Sequence, residues 1–152
     1  MKINFKKLFI IIFLTISVGS FFSFFVSMDF YKELFKPSFA PPGYIFPIFW
    51  IILYILMSIS LYLVTNYNNQ NNFNYYMIYI VQLIVNSFWT LIFFGLKYYF
   101  FAFLWILLLI ILVIVMSYLY FKRNKIAFYL LIPYLLWLIF AAYLNFQIYL
   151  LN

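Results

Sequence analysis

The sequence predicts an all-α integral membrane protein built as a bundle of five transmembrane helices, and three observations predict it. Of 152 residues, 70% are hydrophobic and only 7% are charged, whereas an ordinary soluble domain is about 45–50% apolar and about 25% charged. The apolar residues fall into five long runs, each near the roughly 20 residues that a helix needs to cross hydrocarbon. These runs lack the period-2 alternation of barrel strands. Helices are then the remaining way to satisfy every backbone polar group in lipid.

The first run, residues 8–27, follows the basic opening Lys2, Lys6 and Lys7. A secretory signal begins in the same way, but this run is longer than an h-region and no A-x-A-like cleavage site follows, so it reads as a retained span. Residues 28–43 hold Asp29, Lys32, Glu33, Lys36 and the prolines Pro37, Pro41 and Pro42. That composition predicts a structured loop with a short interfacial helix. The second run covers 44–65 and ends in an Asn-rich linker at 66–74, polar and flexible in composition. The third covers 75–95 and closes on a tight turn at Gly95, Leu96 and Lys97. The fourth, 98–120, stops at Lys122, Arg123 and Lys125, and the fifth takes 126–151. The whole of 1–152 reads as one domain.

Absent residue types exclude much chemistry. The chain has no Cys and no His, which removes disulfides, thiolate nucleophiles, zinc sites and the usual haem ligands, so neither a metal nor a cofactor is expected. Asp29 and Glu33 are the only carboxylates, and both lie outside the runs; no carboxylate relay crosses the membrane. The net charge of +7 does not form the basic face of a nucleic-acid binder. It reads as a topology signal. With the N-terminus inside, Lys2, Lys6, Lys7, Lys122, Arg123 and Lys125 are inside, against Lys32, Lys36 and Lys97 outside. That balance predicts N-terminus in and C-terminus out.

Small and polar residues within the runs share faces. Thr15, Gly19, Ser23 and Ser27 recur every four residues in the first helix, a stripe that permits close backbone approach to a neighbouring helix or a second copy. Gly19 and Ser23 are also candidates for ligand contact. Gln82, Asn86 and Trp89 follow at i, i+4 and i+7 in the third helix, putting two amides and an indole on one face. Buried amides either join helices or line a cavity. Pro133, Trp137, Ala141 and Asn145 repeat the four-residue spacing in the fifth helix, and Trp50, Tyr54, Met57 or Ser58, and Leu61 share a face of the second. Facing Trp, Tyr and Asn from three helices describe a cavity with flat apolar walls and a few hydrogen-bonding groups, suited to a planar organic ligand. From Phe100 to Met116 the fourth helix offers only the indole of Trp105, and it is expected to face lipid.

Three segments carry a family resemblance: KPSFAPPGYIFPIFWIILYILM (36–57), NSFWTLIFFG (86–95) and PYLLWLIFAAYLNF (133–146). In this order and spacing they resemble the TspO/MBR family, the translocator proteins once called peripheral-type benzodiazepine receptors, over essentially the whole chain. The resemblance implies a five-helix bundle with an internal pocket closed by the loop between the first two helices. It implies binding of porphyrins such as protoporphyrin IX and haem. Carried over, Trp50 and Tyr54 are the pocket residues of the second helix and Asn86 and Trp89 those of the third. Trp137 is the second key tryptophan, Ala141 the small residue opposite the ligand, and Asn145 lies further along that face. Tyr31, Pro41 and Pro42 correspond to the lid. Phe39 stands where many members carry Trp, and no basic residue follows Tyr143 or Tyr149, so the C-terminal cholesterol motif of animal members is missing.

The resemblance leads to a membrane receptor or carrier in which Trp50, Trp89 and Trp137 stack on a tetrapyrrole while Asn86 or Gln82 bonds its polar edges. Lys32 and Lys36 stand where they would meet the propionates. An enzymatic alternative is light-dependent breakdown of protoporphyrin, with Trp50 and Trp137 as catalytic redox relays. A third is a transporter of hydrophobic ligands or a homodimeric interaction protein of the bacterial cytoplasmic membrane. Expected partners are thus a hydrophobic small molecule, the lipid bilayer and a second copy of the chain, with no nucleic acid.

Overall fold

A computed structural model describes residues 3–66 and 71–152. Lys2 and the middle of the Asn-rich linker lie outside the described residues. The described residues form five α-helices: α1 (Phe5–Gly19), α2 (Ile45–Thr65), α3 (Phe73–Thr90), α4 (Tyr99–Arg123) and α5 (Lys125–Leu151). Neighbours run in the order α1, α2, α5, α4, α3 and back to α1. Helices α2, α4, α5 and α3 with its continuation to Gly95 are each long and apolar enough to cross a membrane. Together with the apolar outer face, they make this an integral membrane bundle.

Helix α1 departs from expectation. It ends at Gly19 instead of near residue 27, and the chain continues as 3-10 turns at Phe21–Phe24 and Asp29–Lys32. Fifteen α-helical residues reach only about 22 Å, short of the roughly 30 Å of hydrocarbon. The local cause is composition. After the last α-type bond, Ser20 N–H to the Ile16 carbonyl at 2.9 Å, the Ser23 hydroxyl turns back onto the Ser20 carbonyl. Serine thereby offers the backbone an alternative to the helix.

Caps and side-chain bonds fix the other ends. Asn4 Oδ1 accepts from Lys7 N–H at 3.0 Å to cap α1. Asn124 separates α4 from α5 alone, its Oδ1 accepting from the N–H groups of Ile126 (2.9 Å) and Ala127 (3.2 Å). The last turn of α2 presents the Thr65 carbonyl to Lys7 Nζ at 2.8 Å and Asn72 Nδ2 at 3.2 Å, a cation on the negative end of a helix dipole. Helix α3 widens into a π-helical turn over Leu91–Gly95, closed by Leu96 N–H on the Leu91 carbonyl at 2.9 Å, and the chain then makes the expected tight turn, with Lys97 at φ 57°, into α4.

Polar side chains tie the ring of helices together. Thr15 and Tyr79 hydroxyls meet at 2.7 Å between α1 and α3, and Ser60 Oγ donates to the Ala127 carbonyl at 2.7 Å between α2 and α5. Trp105 Nε1 donates to the Val85 carbonyl at 2.7 Å, holding α4 on α3. In a bilayer, where the hydrophobic effect does not press helices together, such bonds and close packing do. The helical half of the small-residue stripe is consumed inside the molecule, while Ser23 and Ser27 lie beyond α1 and are exposed. Thr15 is bonded to α3, and a Cβ on Gly19 would lie 2.4 Å from Cζ of Tyr54, so these two residues seat α1 on α2 and α3 and present no surface to a second copy.

Candidate functional site

The π-turn decides what faces the interior at the lid end of α3. Its extra residue brings both Phe93 and Phe94 beside Trp89: Phe93 stacks on the indole (centroids 5.2 Å, 22°) and Phe94 meets it edge-on (5.9 Å, 87°). Such π-turns concentrate at functional sites. Opposite them, the first turns of α2 present Phe46, Pro47, Trp50 and Tyr54, with Trp50 stacked on Tyr54 at 5.6 Å and 27°. Pro47 falls in the first turn, where its missing N–H costs nothing.

Between these walls lies a cavity of about 140 Å³. The truncated end of α1 supplies Gly19, Ser20 and Ser23, and the lid supplies Met28. No charged side chain lines it; its polar groups are indoles, the Tyr54 phenol and the hydroxyls of Ser20, Ser23 and Thr90. Gly19 leaves room for the ring tip of Tyr54, which fills the space of its missing side chain. Behind the wall made by Phe46, Trp89 and Phe94 runs a slit of about 10 Å³, reaching Tyr31, Ala141 and Asn145. That is barely the room of one water.

The sequence-predicted residues therefore divide into groups. Trp50, Tyr54, Trp89, Gly19 and Ser23 meet at the cavity, and Tyr31, Ala141 and Asn145 meet Trp89 at the slit. Asn145 is bonded, its Oδ1 accepting from Trp89 Nε1 at 3.1 Å and its Nδ2 donating to the Tyr99 carbonyl at 2.8 Å. Gln82 and Asn86 line neither space. Asn86 Nδ2 donates to the Tyr134 hydroxyl at 2.9 Å, which donates in turn to Gln82 Oε1 at 2.9 Å, and Gln82 Nε2 reaches Met57 Sδ at 3.8 Å. The two amides join helices through Tyr134, and no polar edge of a ligand is within their reach in this arrangement.

Trp137 also stands apart. It lies on an outward groove between α2 and α5, stacked on Phe49 at 4.6 Å and 15°, and meets the cavity through edge-on contacts with its lining residues Phe46 at 5.9 Å and Trp50 at 6.5 Å. Although the residue is only 9% exposed, its Nε1 is buried without a hydrogen-bond partner. Sequence reasoning missed Tyr134, Phe46 and Phe94. Tyr134 sits one turn before Trp137 on a buried face, a signal hidden among 16 tyrosines. Phe94 was illegible because strict α-helical spacing puts it, five residues on, on a different face from Trp89.

The lid is held from several sides. Tyr31, 3% exposed, packs edge-on against Phe46 at 5.4 Å and donates its hydroxyl to the Pro41 carbonyl at 3.1 Å. Burial pushes its phenol up to about 12. The Lys36 ammonium lies 4.5 Å from the Tyr31 ring centre and donates to the Tyr31 carbonyl. Phe39 stacks on Tyr143 of α5 (5.3 Å, 16°), and Asn152 clasps Phe35, donating to its carbonyl at 2.9 Å and accepting from its N–H at 3.2 Å. The Pro42 carbonyl accepts from Ile45 N–H at 3.0 Å and starts α2. Lys32 is exposed beside Asp29 at 3.7 Å.

Comparison with known proteins agrees with the architecture. The family model of the TspO/MBR family matches residues 9–151. The chain is 35% identical over 134 residues to the tryptophan-rich protein TspO of Archaeoglobus fulgidus, covering 88% of this chain and 87% of that one. It is 34% identical to protein CrtK of Rhodobacter capsulatus, over 80% of this chain and 78% of that one. It is 32% identical to the tryptophan-rich sensory protein of Cereibacter sphaeroides, over 82% and 77%. Matched along nearly its full length by the family and built as an apolar five-helix bundle, the chain belongs to the TspO/MBR family.

Proposed function

We propose that this protein is a membrane receptor or carrier for flat hydrophobic molecules, tetrapyrroles such as protoporphyrin IX and haem among them. The observation that carries this reading is the uncharged cavity between the Trp50–Tyr54 stack and the Trp89–Phe93–Phe94 cluster. Aromatic faces with a few hydroxyls favour a planar apolar ring. Since the lining carries no cation, a porphyrin's carboxylates stay at the interface, where Lys32 is exposed. The name of the Cereibacter sphaeroides relative, tryptophan-rich sensory protein, fits a receptor role. About 140 Å³ is below the roughly 300–1,000 Å³ of ordinary ligand sites, so a macrocycle enters only as the walls part.

Titration of detergent-solubilised protein with protoporphyrin, followed by tryptophan fluorescence, tests the reading. Saturable quenching is expected, and Trp50→Phe combined with Trp137→Phe weakens it; equal affinity in that double variant would sink the cavity assignment. The contact of Trp50 with Trp137 at 6.5 Å favours a second reading, light-driven porphyrin breakdown with these indoles as relays. Many product molecules per protein under illumination support it, and sub-stoichiometric bleaching leaves binding alone. For placement we propose the bacterial cytoplasmic membrane with the N-terminus inside. Lys7 and Arg123 sit at one end of the bundle, near Thr65 and Asn71, and Lys36 and Lys97 at the other, over Tyr31 and Phe30.

A further inference from the structure

We propose that the ligand reaches the cavity sideways from the bilayer, through the seam between the broken end of α1 and the start of α2, and not from water past the lid. This rests on the reading of the cavity as the binding site. Exposure around the cavity is one-sided. Its back and floor, Gly19, Tyr54, Trp89 and Phe94, are buried, whereas Ser23, Pro47 and Ile51 on its rim are exposed. Ile51 stands six residues beyond the first residue of α2, about 9 Å along the helix axis, and Ile48 and Ile52 beside it are 53% and 51% exposed. An aliphatic face at that depth is bathed in acyl chains. The mouth therefore opens into the leaflet on the lid side.

The chain keeps this mouth apolar and yielding. The Ser23 hydroxyl on the rim is tied back onto the Ser20 carbonyl, so this donor does not face an entering apolar ring. The segment that forms the jamb is a 3-10 turn with no buried residue, and weakly buried turns open at low cost. The route past the lid is closed at each point: Tyr31 is bonded to Pro41, Phe39 is stacked on Tyr143, Asn152 clasps Phe35, and Phe46, Trp89 and Phe94 wall the slit from the cavity. A ligand of the predicted kind dissolves in lipid and is delivered at the depth of the mouth.

The chain has no cysteine, which gives a direct test. Ser23→Cys with Ile51→Cys is joined across the mouth by a short reducible bifunctional thiol reagent, and Phe39→Cys with Tyr143→Cys is joined across the lid in the same way. Each protein is reconstituted in vesicles of neutral phospholipid, and the rate of tryptophan quenching is followed on mixing with vesicles preloaded with protoporphyrin IX. The mouth bridge is expected to slow association at least tenfold, with full recovery on reduction, while the lid bridge changes it less than twofold. Recovery shows that the bridged protein is folded. An unchanged rate under the mouth bridge, or equal or greater slowing by the lid bridge, overturns lateral access while leaving the binding site standing. Absence of saturable quenching in every form, unbridged protein included, overturns the binding reading and lateral access with it.

Discussion

Two regions of the bundle, barely two helical turns apart on α3, use the same kinds of residue in opposite ways. Around Tyr134 the amides of Gln82 and Asn86 are bonded to one phenol, so their polarity goes into joining helices. Around Trp50 the rings meet a cavity, the hydroxyls sit on its rim, and helix α1 gives out into 3-10 turns. The first region is closed and fully packed; the second is apolar yet incompletely filled. Polar residues inside a membrane protein therefore do not by themselves mark a binding site. What separates the regions is whether each donor and acceptor already has a partner.

The comparison is broken most severely by filling Gly19. In Gly19→Leu the new side chain meets the Tyr54 ring and drives it into the cavity; porphyrin affinity falls beyond detection in a fluorescence titration, and thermal unfolding shows a loss of about 1–3 kcal/mol from overpacking. Next comes Trp50→Ala, which removes one cavity wall and weakens porphyrin binding about tenfold, consistent with roughly 1.4 kcal/mol per decade. Trp137→Ala, in the outward groove, weakens it less. Reversal of that order would mean that the ligand sits between α2 and α5.

In the closed region Gln82→Leu leaves the Tyr134 hydroxyl without its acceptor. It is expected to cost about 1 kcal/mol, in the range of membrane-buried hydrogen bonds, and, since Gln82 lines neither the cavity nor the slit, to leave porphyrin affinity within about threefold, under about 1 kcal/mol. A double-mutant cycle with Tyr134→Phe measures the coupling. The last effect is confined to alkaline pH. Tyr31 has its phenol raised from 10.0 to about 12, so the unfolded chain releases that proton first and the lid loses stability as pH climbs from about 10 to about 12. Below that window Tyr31 contributes no pH dependence. Amide hydrogen exchange in the lid, compared between the parent and Tyr31→Phe, isolates this contribution.

Much of this was legible from residue type and spacing. Runs of Leu, Ile and Phe announce helices for lipid, and Trp50 with Tyr54 and Trp89 share the faces that helical periodicity assigns them. What was not legible turns on backbone departures and on partner choice. A single residue added by the π-turn at Leu91–Gly95 moves Phe94 onto the cavity, and no 3.6-residue period shows it. The early end of α1 depends on Ser23 bonding Ser20, a local competition that hydropathy cannot see. Gln82 and Asn86 fitted a pocket and a helix joint equally well until Tyr134, on another helix, was in place.

The indoles carry one more consequence. Trp89 donates to an amide oxygen, Trp105 to a backbone carbonyl, and the N–H of Trp137 is buried without an acceptor. Three of the four tryptophans thus differ in the bonding state of the same group, and vibrational spectra sensitive to indole hydrogen bonding resolve them without any label. The protein carries its own set of probes, one in the cavity wall, one on the joint between α3 and α4, and one facing the groove between α2 and α5. A ligand's position can be read from which of the three signals moves.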